Sequence, residues 1–236
     1  MENIFIFGAN SDLIYEYIKV ADDNKNWYLY SRNEKELKKK VENLSLKKSG
    51  SKFNIKKIDF TEEFLDKLDS ELYSNKIDKV IIAQGLLVKN NLKYNEYNDL
   101  FRVNIISVIQ IINITLKILQ KQGSGKIIVF GSIAGDIGKS SNYLYGSSKS
   151  ALWTFVEGLQ KEEDNHKFIT FLKPGPVFTK MTEGYQSNLL WIDKKNAGTL
   201  IKKAIEKNKK IVYIPGYWRY IMIILKLLPN FLTKKL

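Results

Sequence analysis

A chain of 236 residues with 44% hydrophobic content is long enough to bury one sizeable α/β core. It contains no cysteine, which excludes disulfides, thiolate metal sites and thiol nucleophiles. Its single histidine, His166, lies in a polar run over 161–167, which argues against an imidazole metal site or a Ser-His-Asp triad.

Thirty-eight basic residues against 25 acidic give a net charge of +13 and suggest an anionic partner. From Lys202 onward nine basic residues face one acid, Glu206, so much of the excess belongs to the end of the chain. Charge alone supports nucleic acid, with no recognition motif beside it, and none is expected as a partner. Met1-Glu2-Asn3 leads directly into a strand pattern and not into a basic and then apolar leader, so a cytoplasmic protein is expected.

The first strand is Asn3–Phe7, followed at once by Gly8-Ala9-Asn10-Ser11-Asp12-Leu13-Ile14 and a helix to about Val20. A strand, a glycine turn and a helix is the opening of a dinucleotide-binding fold, in which backbone N–H groups and the helix N-terminus receive a pyrophosphate. It is also simply the first turn of any doubly wound sheet. The second strand, Asn26–Tyr30, runs into Ser31 and Arg32, and no carboxylate stands there to take a ribose 2′-hydroxyl. A serine and an arginine suit a 2′-phosphate, which favours NADP(H), with NAD(H) still admissible.

Glu34–Leu46 reads as a solvated lysine-rich helix, 53–59 as a third strand and Lys79–Ala83 as a fourth, ending in Ala83-Gln84-Gly85. Asn104 interrupts an apolar helical stretch and needs a hydrogen-bond partner there. Lys126–Phe130 is a buried strand, so Ser132 stands where strand gives way to loop. Tyr145 and Lys149, four apart on a helix, share a face. An ammonium beside a phenol favours phenolate and lowers its pKa from about 10, as a proton donor and acceptor for a carbonyl/alcohol pair requires.

Ser132, Tyr145 and Lys149, with Ser132 thirteen positions before Tyr145, resemble the active site of the short-chain dehydrogenase/reductase family. The order of the surrounding pieces, over about three quarters of the chain, resembles it as well. The resemblance implies a single doubly wound Rossmann domain over 1–215 with a mostly parallel seven-stranded sheet, and a tail over 216–236. By it, Asn104 supports a water-linked proton relay, Asp59-Phe60 touch the adenine, and Pro174-Gly175-Pro176-Val177-Phe178-Thr179 hold the nicotinamide carboxamide. Two departures stand out: Asp12 and Ile14 replace glycines of the family turn, and Ala83-Gln84 replace Asn-Ala ahead of Gly85. Asp12 is expected to cap the helix or bind ribose.

The apolar segment over 180–192 corresponds to the family's substrate lid. Past a last strand, Ile211–Ile214, the stretch Tyr217–Leu228 reads as a hydrophobic helix with aromatics at its start and lysines beside it. It is shorter than the roughly 20 residues of a membrane span, and suits either a membrane interface or packing on protein. More loosely, this tail resembles bacterial reductases tied to surface polysaccharide and lipid-linked sugars. The expectation is therefore a ketone reductase acting on a small or lipid-linked carbonyl substrate, paired as a homodimer or homotetramer. A sensor or scaffold that binds the dinucleotide without turning it over is the rival.

Overall fold

The computed structural model describes residues 1–58, 62–88, 90, 93–163, 165, 167–207 and 209–229. Asp59, Phe60 and His166, and everything beyond Pro229, lie outside them. In chain order the elements are β1 (Glu2–Phe7), α1 (Asp12–Val20), β2 (Lys25–Ser31), α2 (Glu34–Ser45), β3 (Lys52–Lys57), α3 (Glu62–Tyr73), β4 (Lys79–Ile82) and α4 (Tyr94–Phe101). They continue with α5 (Ser107–Gln122), β5 (Lys126–Phe130), α6 (Tyr143–Leu159), β6 (Ile169–Pro174), β7 (Val177–Phe178), β8 (Ile192–Asp193), α7 (Lys194–Glu206), β9 (Ile211–Ile214) and α8 (Trp218–Leu227).

Seven strands form one sheet in the order β3-β2-β1-β4-β5-β6-β9, every pairing parallel. The reason is legible in β1: Ile4, Phe5, Ile6 and Phe7 are all fully buried, so the strand needs cover on both faces. Phe5 and Phe7 join the core beneath α3, α5 and α6, and stack on Tyr28 and Tyr30 of β2 at 4.3 and 4.5 Å. Ile4 and Ile6 point the other way, into the core beneath α1, α2 and α7. Strand order reverses between β1 and β4, and ligands of such sheets bind in the crevice beyond the strands' carboxyl ends at that point.

A one-residue widening joins α4 to α5: Arg102–Ile106 forms a π-helical turn around Asn104. The whole run Glu96–Gln122 has the length and apolarity to cross a bilayer, but Val108, Ile111, Ile112, Leu116 and Leu119 are spent on the core. β3 stops at Lys57, earlier than the sequence suggests.

The last helix is also shorter than expected and serves two purposes. Trp218 and Met222 are buried against Ile133, with Ile137, Tyr213, Ile221 and Leu225 around them. Tyr220, Ile223, Ile224 and Leu227 form an i, i+3, i+4, i+7 stripe that faces outward.

Candidate active site

Gly8 takes φ = +83°, and a side chain there would stand 2.5 Å from the backbone nitrogen of Gln84. Only glycine lets β1 and β4 come this close at the switch point. The amides of Gly8 and Ala9 both donate to the Tyr30 carbonyl at 3.1 Å, which turns the chain into α1. Ser11 precedes that helix without a side-chain cap, so the first-turn amides remain available to an anion.

A cleft of about 350 Å³ opens here. Gly8, Asn10, Ser11, Asp12 and Leu13 line it from the first turn, Ser31 and Arg32 from the end of β2, and Ala83, Gln84 and Gly85 from the end of β4. Thr179, Lys180 and Met181 close it from the far side. Asn10 donates to Ser31 Oγ at 2.7 Å and to the Asn33 carbonyl at 3.0 Å, while its side-chain oxygen Oδ1 is buried without a partner. The side-chain oxygen of Gln84 is orphaned in the same way. Two unsatisfied acceptors on residues that line the cleft fit a ligand that brings hydroxyl or amino hydrogens. With the open helix terminus and Arg32, the cradle fits a phosphorylated dinucleotide.

Asp12 does not cap the helix. Its Oδ2 accepts from the backbone N–H of Lys180 at 2.9 Å and its Oδ1 lies 3.5 Å from Lys40 Nζ, so the carboxylate straps the far wall to the first turn. Lys40, which also donates to the Asn10 carbonyl, was missed in the sequence because a lysine-rich helix hides one inward-turned lysine among many solvated ones. Ile58, Val103 and Met181 line the cleft too, and carry no signal beyond their apolar character.

The candidate reacting groups gather beyond Gly85, and none of Ser132, Tyr145, Lys149 and Asn104 lines the cleft itself. Lys149, fully enclosed on α6, and Asn104 both abut Gly85: a Cβ built there would be 3.5 Å from Lys149 Nζ and 3.5 Å from Asn104 Oδ1. Asn104 accepts from Leu86 N–H at 2.7 Å and donates to the Leu86 carbonyl at 3.0 Å and to Ser148 Oγ at 2.9 Å. It thereby ties the loop after β4 to α6, and the amide has its partner. Ser132 follows β5 in extended conformation, takes the Ala134 N–H on its oxygen at 3.1 Å, and lies near enough to the Tyr145 phenol to favour its ionised form.

The electrostatics depart from expectation. Burial pushes the Tyr145 phenol up to about 12, against the downward pull of Ser132, with Tyr185 adding a smaller upward push. Burial lowers the Lys149 ammonium to about 8. The lysine does not acidify the tyrosine because it is already neutral above about pH 8, well before the phenol titrates; its Nζ donates to the Phe130 carbonyl at 3.1 Å and is 5.8 Å from the centre of the tyrosine ring.

Pro174 ends β6 and Gly175 follows it beneath α8, where a Cβ on Gly175 would be 2.0 Å from the Trp218 indole nitrogen. Val177 is buried in the small β7–β8 ladder, and Thr179 is the one residue of this stretch that reaches the cleft.

A family model for short chain dehydrogenases matches residues 3–189. The chain belongs to the short chain dehydrogenase family. This short chain dehydrogenase is 29% identical over 189 residues to an uncharacterized oxidoreductase of Staphylococcus saprophyticus, covering 76% of each chain. It is 30% identical over 119 residues to an uncharacterized oxidoreductase of Mycobacterium tuberculosis, covering 50% of this chain and about half (48%) of that protein. In fold it resembles the short-chain dehydrogenase of Sphingobium yanoikuyae solved with NADPH, with a TM-score of 0.82, 15% identity and 97% of each chain covered.

Proposed function

We propose that the protein is an NADPH-dependent carbonyl reductase in which Tyr145 delivers the proton, Ser132 orients and polarises the carbonyl oxygen, Lys149 supplies positive charge beside the tyrosine, and Asn104 holds the loop after β4 against them. The observation that carries this reading is the grouping of Ser132, Tyr145, Lys149 and Asn104 next to Gly85, which lines a cleft fit for a dinucleotide. Bound at that cleft, a reduced nicotinamide supplies the hydride. Tyr145 stays protonated at neutral pH and so can act as an acid. NADPH over NADH is supported by Ser31 and Arg32 at the cleft wall and by the NADPH bound to the Sphingobium relative.

The substrate class we propose is a keto-sugar, free or lipid-linked. Phe178 and Trp191 pair at 5.1 Å beside a rim that includes Lys180, Glu183 and Lys194, a combination of aromatic face and polar edge that suits a polyhydroxylated ring. We further propose pairing of copies through the faces of α6 and of the turn leading into α5, where Tyr143 and Ile106 are exposed.

Tyr145→Phe decides between reductase and sensor. The substitution should reduce NADPH oxidation with diacetyl or a panel of ketoses by at least about a thousandfold while leaving NADPH fluorescence titration unchanged. A variant as active as the wild type, or a wild type that reduces no ketone, would overturn the enzyme reading.

The outward stripe of α8 supports a second reading, peripheral contact with an anionic membrane surface at its cytoplasmic side. Arg219 and Lys226 belong to the same helix, and Tyr217 bonds the carbonyl of Leu190, next to the fully exposed Leu189. The full chain should sediment with anionic vesicles and the Ile224→Glu/Leu227→Glu variant should not; equal sedimentation would sink it.

A further inference from the structure

Asp136 and Lys173 make the most enclosed ion pair among the described residues, with Oδ1 and Nζ 2.5 Å apart. Every side of the pair is occupied. Tyr213 donates to Asp136 Oδ2 at 2.8 Å, Lys226 of α8 reaches to 3.6 Å, and the Lys173 ammonium sits 4.3 Å from the centre of the Trp153 ring on α6. A buried pair is a poor way to gain stability, since apolar side chains of similar volume do as well or better. Its placement is more informative.

Asp136 closes the 3₁₀ turn Ile133–Gly135 that begins at Ser132. That turn is pressed onto the helix of Tyr145 and Lys149: a Cβ on Gly135 would be 2.7 Å from the Lys149 carbonyl carbon, and one on Gly146 would be 2.8 Å from the Ala134 oxygen. Lys173 directly precedes Pro174 and Gly175 on β6. One ion pair therefore joins the turn that presents Ser132 to the end of the neighbouring strand, β6. α8 seats on both, with Trp218 against Ile133 and over Gly175.

We propose that Asp136 and Lys173 are positioning residues for the reduction, acting by holding the Ser132 hydroxyl in register with the Tyr145 phenol, and that Lys226 extends this brace to α8. The proposal rests on the reading of Ser132 and Tyr145 as the reacting pair. Neither brace residue touches substrate; each acts through the turn. A displacement of a fraction of an ångström at Ser132 is enough to lower turnover.

A double-mutant cycle in the full chain tests it, with NADPH oxidation by diacetyl as the assay. Asp136→Asn, which keeps the shape and an acceptor for Tyr213, should lower kcat about tenfold and leave the NADPH dissociation constant within about twofold. In a Ser132→Ala background the same substitution should change kcat by less than about twofold, because the group it positions is already gone. Lys226→Ala, at the surface and outside the folding core, should show a smaller loss of about threefold that likewise disappears in the Ser132→Ala background. Losses that persist undiminished in that background, or Asp136→Asn and Lys226→Ala proteins with wild-type kcat, would overturn the positioning role. If Ser132→Ala alone keeps full activity, the catalytic pair itself is wrongly assigned and the brace proposal falls with it. Should Asp136→Asn melt below the assay temperature, the Lys226→Ala cycle decides alone.

Discussion

Lys149 meets Tyr145 across the ring face, 5.8 Å from its centroid, and spends its hydrogen bond on the Phe130 carbonyl at 3.1 Å. The two groups are neighbours on one helix, yet burial separates their titrations in opposite directions, the phenol up to about 12 and the ammonium down to about 8. Charge is costly for both in this enclosure.

The pH dependence of reduction should report the lysine. Below pH 8 Lys149 is charged and Tyr145 is protonated, so kcat/KM for ketone reduction should be level; above it the rate should fall with an apparent pKa near 8. The profile follows from initial rates at saturating NADPH across pH 6 to 10, taken in steps of about one unit. A level profile through pH 9 would remove the lysine's charge from the mechanism.

The same buried charge burdens the fold. Lys149→Met deletes an ammonium whose pKa is depressed from 10.5 to about 8, and should stabilise the protein by about 2 kcal/mol at pH 7 after losing the bond to Phe130. The wild type's handicap is full below pH 8 and shrinks as pH rises toward 10.5, because in that window the unfolded chain holds a proton the folded one has released. Urea unfolding at pH 7 and pH 10 measures the difference, which should narrow at the higher pH.

Asn104 uses both polar atoms of its amide, and all its partners belong to other segments. Asn104→Ala leaves the backbone groups of Leu86 without those bonds and should cost about 2–4 kcal/mol in the urea midpoint analysis, together with most of the turnover. Unchanged stability would mean that water replaces the amide at no loss.

Cofactor choice should turn on Arg32 at the cleft edge. Arg32→Ala should weaken NADPH about tenfold in fluorescence titration and leave NADH within about twofold. Equal losses for both cofactors would assign the arginine to some other contact.

Strands β1, β2, β4 and β5 were legible because their β-branched and aromatic runs are bounded by turn residues and lie largely buried between two helical layers, and the edge strand β9 through its apolar run alone. Ser132, Tyr145 and Lys149 were legible through their spacing, since a strand end and a helix face carry short-range order. Lys40, Asp136 and Lys173 were not, because each acts through a partner far along the chain, and charged residues in a chain so rich in lysine give no sign of which ones turn inward. The helix at the end of the chain shows the same limit: its apolar residues are plain in the sequence, but only packing on Ile133 and Gly175 separates Trp218 and Met222 from the outward stripe.

By itself the amino-acid order determined a doubly wound α/β chain, the place of its first turn and the trio at its centre, because alternation, helical spacing and glycine turns are local properties of the backbone. Tertiary structure decided where charge resides: Asp12 strapped to Lys180, Asp136 paired with Lys173, and a lysine and a tyrosine with opposed pKa shifts. Desolvation depends on everything that surrounds a group, and those surroundings are assembled from segments distant in sequence.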